Sequence, residues 1–228
     1  MNYDFEIKNN EKLQCSMLNF SSINFKLDSG AVLKNLNIAF KTFGKLNTNK
    51  TNAILICHAL TGDQYVTGHN PITDREGWWS RMVGDKKPID TSKFFVICSN
   101  VLGGCAGSTG PKEIHPETGK AYAANFPSIT IRDMVRGQIL LIDALKINKL
   151  HSVIGGSMGA MQALQWSIDF PDRINSIVHI AGALKHSAQN IAFHEVGRQA
   201  IMNDNNWNEG KYFEKKTTPE RGLAVARM

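Results

Sequence analysis

Residues 152–166 read SVIGGSMGAMQALQW, and this stretch limits what the chain can fold into more than any other. β-Forming Val153 and Ile154 come before a serine, and an apolar-periodic run follows it, so a strand becomes a helix at Ser157. Gly155, Ser157 and Gly159 fit G-x-S-x-G in the setting that pattern requires, strand before and helix after. The turn is so sharp that side chains two positions to either side of the serine would collide, and glycine fills both places. The serine sits in a strained backbone conformation, and the helix turns its free N–H groups and positive end toward the reacting oxygen. Ser157 is therefore the candidate nucleophile, and the backbone N–H of Met158 a candidate oxyanion donor.

An elbow of this kind needs a sheet behind it. "NAILICHALTGD" is a continuous apolar run ending in a polar, glycine-containing turn, and "KFFVICSNVLGGCAGSTGP" repeats the plan. Strands apolar along their whole length are buried on both faces, as in a parallel sheet covered by helices. Upstream, "INFKLDSGAVL" has a turn at Asp28-Ser29-Gly30, and "LNIAFKTFG" alternates like a half-buried strand. Helical spacing of Ile131, Met134, Val135, Ile142 and Leu145 predicts a helix, with Thr130 and Asp133 as its capped start. "LHSVIGG" and "INSIVHIAGA" read as strands, with "SMGAMQALQWSIDF" between them as a helix stopped before Pro171. "NIAFHEVGRQAIM" is the clearest later helix. The order predicts an α/β architecture whose site lies at the carboxyl ends of the strands.

The loop "CHALTGD" after "NAILI" is placed to supply a second oxyanion donor, the backbone N–H of Leu60. His58 lies upstream of the elbow at a strand end and reads as a loop-shaping imidazole rather than a base. In this arrangement an acid and then a histidine should follow the nucleophile. Asp169 ends the elbow helix, roughly 16–18 Å from Ser157 at 1.5 Å per residue, and Asp172 lies just beyond it. His179 falls inside a strand and is expected to be packed in the core. His186 follows that strand but has no carboxylate placed to orient it, and His194 lies within the later helix. The nucleophile is legible; its base and acid are not.

The 228 residues, 42% hydrophobic and 20% charged, suffice for one globular core. No apolar run reaches the roughly 18 residues of a membrane span, and the N-terminus is too polar for a secretory signal. Four cysteines without CxxC spacing fit a reduced, cytoplasmic protein. The net charge of +6 is spread out, no basic cluster being longer than a pair such as Lys215-Lys216, so nucleic-acid binding is not expected. No metal site is expected.

From about residue 20 to the last residue the chain resembles the homoserine O-acetyltransferases, enzymes of α/β-hydrolase fold. The likeness is carried by "ILICHALTGD", "GWW", "FFVICSNVLGGCAGSTGP", "GGSMGAMQALQW", "HSAQNIAFHEVGRQAI" and "GLAVARM". It implies transfer of an acetyl group from acetyl-CoA to the hydroxyl of L-homoserine through an acyl-serine, with no permanently bound cofactor, in cytoplasmic homodimers that serve methionine biosynthesis. It assigns Ser157 as nucleophile, Leu60 and Met158 as oxyanion donors, and Arg227 as a substrate-binding arginine whose guanidinium suits a carboxylate. Family members continue through a lid and the strands that carry the catalytic aspartate and histidine. The expectation is thus one incomplete α/β-hydrolase domain, mostly parallel with antiparallel N-terminal strands. Its parts are a β region over residues 1–50, a sheet core with the elbow over 51–185, and a helical segment over 186–228. The chain alone is expected to be nearly inactive and poorly soluble. A succinyl donor, an esterase or thioesterase of the same fold, and an inactive remnant are the alternatives.

Overall fold

The computed structural model describes residues 4–228. Its sheet has seven strands: β1 (Glu6–Asn10), β2 (Cys15–Phe20), β3 (Leu36–Phe43), β4 (Ala53–Cys57), β5 (Phe95–Ser99), β6 (Ser152–Gly156) and β7 (Ile177–Ile180). They lie in the order β1-β2-β3-β5-β4-β6-β7. The first three run antiparallel to their neighbours, with Ser16 opposite Phe40 and Val96 opposite Phe43. The other four are parallel, with Leu55 flanked by Ile97 and Val153. This is the expected α/β architecture, mostly parallel with antiparallel N-terminal strands.

The apolar runs explain the centre. All five residues of β4 are buried, and β5 and β6 are nearly so, which only strands covered on both faces allow. On one face Ile54, Ile56, Val96, Cys98 and Ile154 pack against Val66, Val83 and Ile89 from the irregular segment between β4 and β5. The other face receives two helices, α1 (Ile131–Ala144) and α2 (Met158–Asp169). Thr130 and Asp133 form the expected capping box on α1. Phe25–Lys26 and Val32–Leu33 pair as a short ribbon around the expected turn, where Gly30 takes φ +88°.

One correction concerns His179. It lies on β7 as expected but is exposed rather than packed in a core. Its strand is at the edge of the sheet among the described residues, and Val178 and Ile180 beside it are exposed as well.

The chain divides into two units. The sheet unit runs to Gly110 and resumes over Pro127–Gly182; the other comprises Pro111–Phe126 and Ala183–Met228. The second unit contains α3 (Ala188–Met202), capped by the Ser187 hydroxyl, and α4 (Glu220–Ala226). These two helices cross closely at Gly222, where a Cβ would lie 2.4 Å from the Ala200 carbonyl oxygen. Lys120 and Glu214, 3.3 Å apart, join the two segments of this unit.

Candidate active site

Ser157 stands at the tip of the bend between β6 and α2, with φ 55° and ψ −121°. A non-glycine residue there is strained, and it persists only where its surroundings hold it. Its N–H donates to the Ile180 carbonyl at 3.0 Å, and its own carbonyl accepts from Ala160 and Met161 at 2.9 and 3.2 Å. The hydroxyl caps nothing and is exposed. Met158 is the first helical residue, so no intrahelical carbonyl takes its N–H.

The flanking glycines are required by backbone rather than by side chains. A Cβ at Gly155 would lie 2.0 Å from the Gly159 carbonyl oxygen, and one at Gly159 would lie 2.0 Å from that of Cys57. Gly159 therefore lets the start of α2 sit directly on the end of β4. Gly156 meets nothing closer than 4.0 Å, so the second glycine of the pair carries no such demand.

The loop after β4 is fixed by buried polar groups. His58 is 1% exposed, its Nδ1 lies 2.7 Å from the Ala59 carbonyl oxygen, and its Nε2 accepts from the Val101 N–H at 3.1 Å. Burial lowers its pKa, outweighing the Ala59 hydrogen bond and the charge of Asp63, which act to raise it. The imidazole joins the loops after β4 and β5 and works as a loop-shaping group. Leu60, two residues on, is 71% exposed, and among the described residues its N–H has no hydrogen-bond partner.

Sequence reasoning missed the groups behind this loop. Gln162 Nε2 donates to the His58 carbonyl at 3.2 Å, and Gln162 Oε1 accepts from Gln138 Nε2 at 2.8 Å. Gln138 Oε1 in turn accepts from Trp166 Nε1 at 2.7 Å. Glutamines inside helical apolar runs were the available signal, since an amide on a buried face demands partners. Ser108 and Thr109 were missed too. Their hydroxyls accept from the N–H groups of Ala39 and Asn37 at 3.0 and 2.8 Å and tie the glycine-rich loop to β3.

No other described nucleophile in the sheet competes well with Ser157. Burial pushes the Cys57 thiol up to about 12 and holds that of Cys98 well above its usual range, so both stay protonated and inert. Among the described residues the acid and base are not assembled. Asp169 pairs with Arg132 at 3.4 Å at the far end of α2, and Asp172 lies in the turn beyond it. His186 and His194 stack on each other in the second unit, ring centroids 5.2 Å apart. Among the described residues the one histidine–carboxylate pair is His69 with Asp74 at 3.7 Å, both exposed. Arg227 lies in the second unit, exposed at the C-cap of α4. No three His, Cys, Asp or Glu side chains among the described residues are grouped to hold a metal ion. No described helix is long and apolar enough to cross a membrane.

Comparison with known proteins extends this geometry. The α/β-hydrolase fold family matches residues 52–227. A homoserine O-acetyltransferase from Rhodospirillum rubrum is 62% identical over 203 residues, covering 89% of this chain and 52% of that protein. Among solved structures, the homoserine O-acetyltransferase from Bacillus anthracis superposes with TM-score 0.84 at 30% identity, over 95% of this chain and 59% of that one. Esterase E22 gives TM-score 0.82 at 35% identity, over 93% of this chain and 60% of that one. The chain spans about half the length of the curated relatives it matches.

Proposed function

The chain belongs to the α/β-hydrolase fold family, and on that footing we propose that it is a homoserine O-acetyltransferase in which Ser157 carries the acetyl group. The observation that carries the choice of activity is the 62% identity to a homoserine O-acetyltransferase across 89% of the chain. The strained, exposed serine above a helix N-terminus supports the chemistry.

In the first half-reaction Ser157 Oγ attacks the thioester carbon of acetyl-CoA. The new C–O bond forms, the C–S bond breaks, and the serine proton passes through a histidine base to the departing thiolate. The N–H groups of Leu60 and Met158 take the oxyanion. In the second half-reaction the hydroxyl of L-homoserine attacks the acetyl-serine, its proton goes to the same base, and Ser157 recovers a proton as O-acetylhomoserine leaves. Arg227 holds the homoserine carboxylate through its two-pronged guanidinium. No histidine and carboxylate are paired beside Ser157 among the described residues, and on this reading residues 1–228 by themselves turn over very slowly. Acetyl-CoA is a co-substrate and no resident cofactor is required. The working form is a cytoplasmic homodimer.

An esterase is the second reading, favoured by the TM-score of 0.82 to esterase E22. The two readings differ in what discharges the acyl-serine, homoserine or water. A chimaera of this chain with the remaining segment of the Rhodospirillum rubrum enzyme separates them. The expected result is one equivalent of thiol released per enzyme from acetyl-CoA alone, then sustained release only when homoserine is added, both lost in Ser157→Ala. Sustained release without homoserine, or none at all, contradicts the proposal.

A further inference from the structure

Resting on the reading that Leu60 supplies an oxyanion donor, we propose that His58 and Gln162 are the positioning residues that aim its N–H. A trans peptide group is a rigid plate, so the carbonyl of Ala59 and the N–H of Leu60 point in opposite directions. Whatever holds that carbonyl fixes where the N–H points.

His58 holds it. The Val101 N–H can only donate, so the Nε2 it meets at 3.1 Å must be the bare nitrogen of the imidazole. The hydrogen is then on Nδ1 and is donated to the Ala59 carbonyl at 2.7 Å. The Gly62 N–H donates to the same oxygen at 2.9 Å. Leu60 N–H, on the opposite edge of the plate, makes no hydrogen bond among the described residues and is left for a ligand.

The plate before it is held from behind. Its carbonyl, that of His58, is an obligatory acceptor and receives Gln162 Nε2. At the other end of the chain Trp166 Nε1 is an obligatory donor. Between these fixed ends only one orientation of the Gln138 and Gln162 amides gives every group a partner. Turning either amide over would set oxygen against oxygen or N–H against N–H in a buried site. The polarity of this relay therefore runs from Trp166 to the oxyanion loop.

Three variants and the unaltered sequence, each carried in the chimaera, test this by NMR. An asparagine amide can take the place of Nδ1, and a glutamine amide that of Nε2. His58→Asn should keep the residual dipolar coupling of Leu60 N–H near its original value, whereas His58→Gln should change it. Gln138→Glu cannot donate to Gln162 and should also move Leu60. In the unaltered protein the imidazole should be the Nδ1–H tautomer, an arm independent of whether any variant folds. An Nε2–H tautomer, or a Leu60 coupling unmoved in folded His58→Gln, overturns the proposal. In the chimaera, His58→Gln should lower kcat by about 10²–10³-fold, the scale of one lost oxyanion donor, and His58→Asn by much less. Equal losses in both overturn it as well. The NMR arms need no chemistry at Ser157, so their failure is distinct from failure of the acyltransfer reading.

Discussion

Gly155 and Gly159 face backbone oxygens at 2.0 Å from any added Cβ, while Gly156 has 4.0 Å of clearance. Neither oxygen belongs to a flexible side chain, so the obstruction cannot step aside. Gly155→Ala and Gly159→Ala should each destabilise the fold by about 2 kcal/mol or more, with Gly156→Ala within about 1 kcal/mol of the parent, by urea denaturation. The motif marked both demanding glycines, but only the need at Gly155 lies within five residues of chain; the oxygen that opposes Gly159 is that of Cys57, on β4. The role of His58 was legible only in outline, since its partner Val101 comes from another loop. Its lowered pKa has a consequence for stability. Unfolded, the imidazole takes up a proton below about pH 6.5, and folded it does so only at lower pH. The stabilisation is complete above that value and is lost as pH falls below it. Denaturation at pH 7.5 and at pH 5.5 (round values about one unit either side) should show a larger acid loss in the parent than in His58→Asn. An equal loss would contradict it. Arg227 belongs to this scale too: Arg227→Lys in the chimaera should raise KM for homoserine about tenfold, as one prong of the fork is lost, with KM for acetyl-CoA little changed.

At the scale of elements, α1 shows what local sequence can and cannot say. Thr130 and Asp133 announce a capping box, and one forms. Asp133 does more than cap: it is fully buried and also accepts the N–H of Asp28 at 3.0 Å, joining α1 to the turn of the N-terminal ribbon. That second bond spans 105 residues of sequence and no local pattern announces it. Asp133→Ala removes the cap and leaves the part-buried N–H groups of Asp28 and Thr130 without their acceptor, so it should cost about 2 kcal/mol, more than Thr130→Ala at about 1 kcal/mol. Equal losses would mean the tie to Asp28 contributes nothing. The hairpin of β1 and β2 was not resolved into strands by sequence, because EIKNN is polar and its residues are mostly exposed. Strand β7 misled in the opposite direction: its apolar pattern predicts burial for His179, but His179 is exposed, and Val178 and Ile180 are over 40% exposed. The expected consequence for the chain alone is binding of a hydrophobic dye and association at high concentration, both reduced in the chimaera.

For the whole molecule, continuous apolar strands ending in glycine-containing loops made the parallel centre and the position of the site legible. The strand order was not, because β5 inserts between β3 and β4 through contacts distant in sequence. The same holds for the amide relay, which draws Gln138 from α1 and Gln162 and Trp166 from α2. The proposed acyl acceptor is legible in this chain as an exposed serine, a helix start and a loop with a free N–H. The acetyltransferase and esterase readings share that acceptor and differ on what empties it. The most direct test is therefore the acetyl-enzyme itself. The chimaera is mixed with acetyl-CoA, quenched in acid, and its peptides are read by mass spectrometry before and after L-homoserine is added. The account predicts one acetyl group on the peptide containing Ser157, removed by homoserine with formation of O-acetylhomoserine. O-acetylhomoserine formed at the parent rate by Ser157→Ala would contradict it.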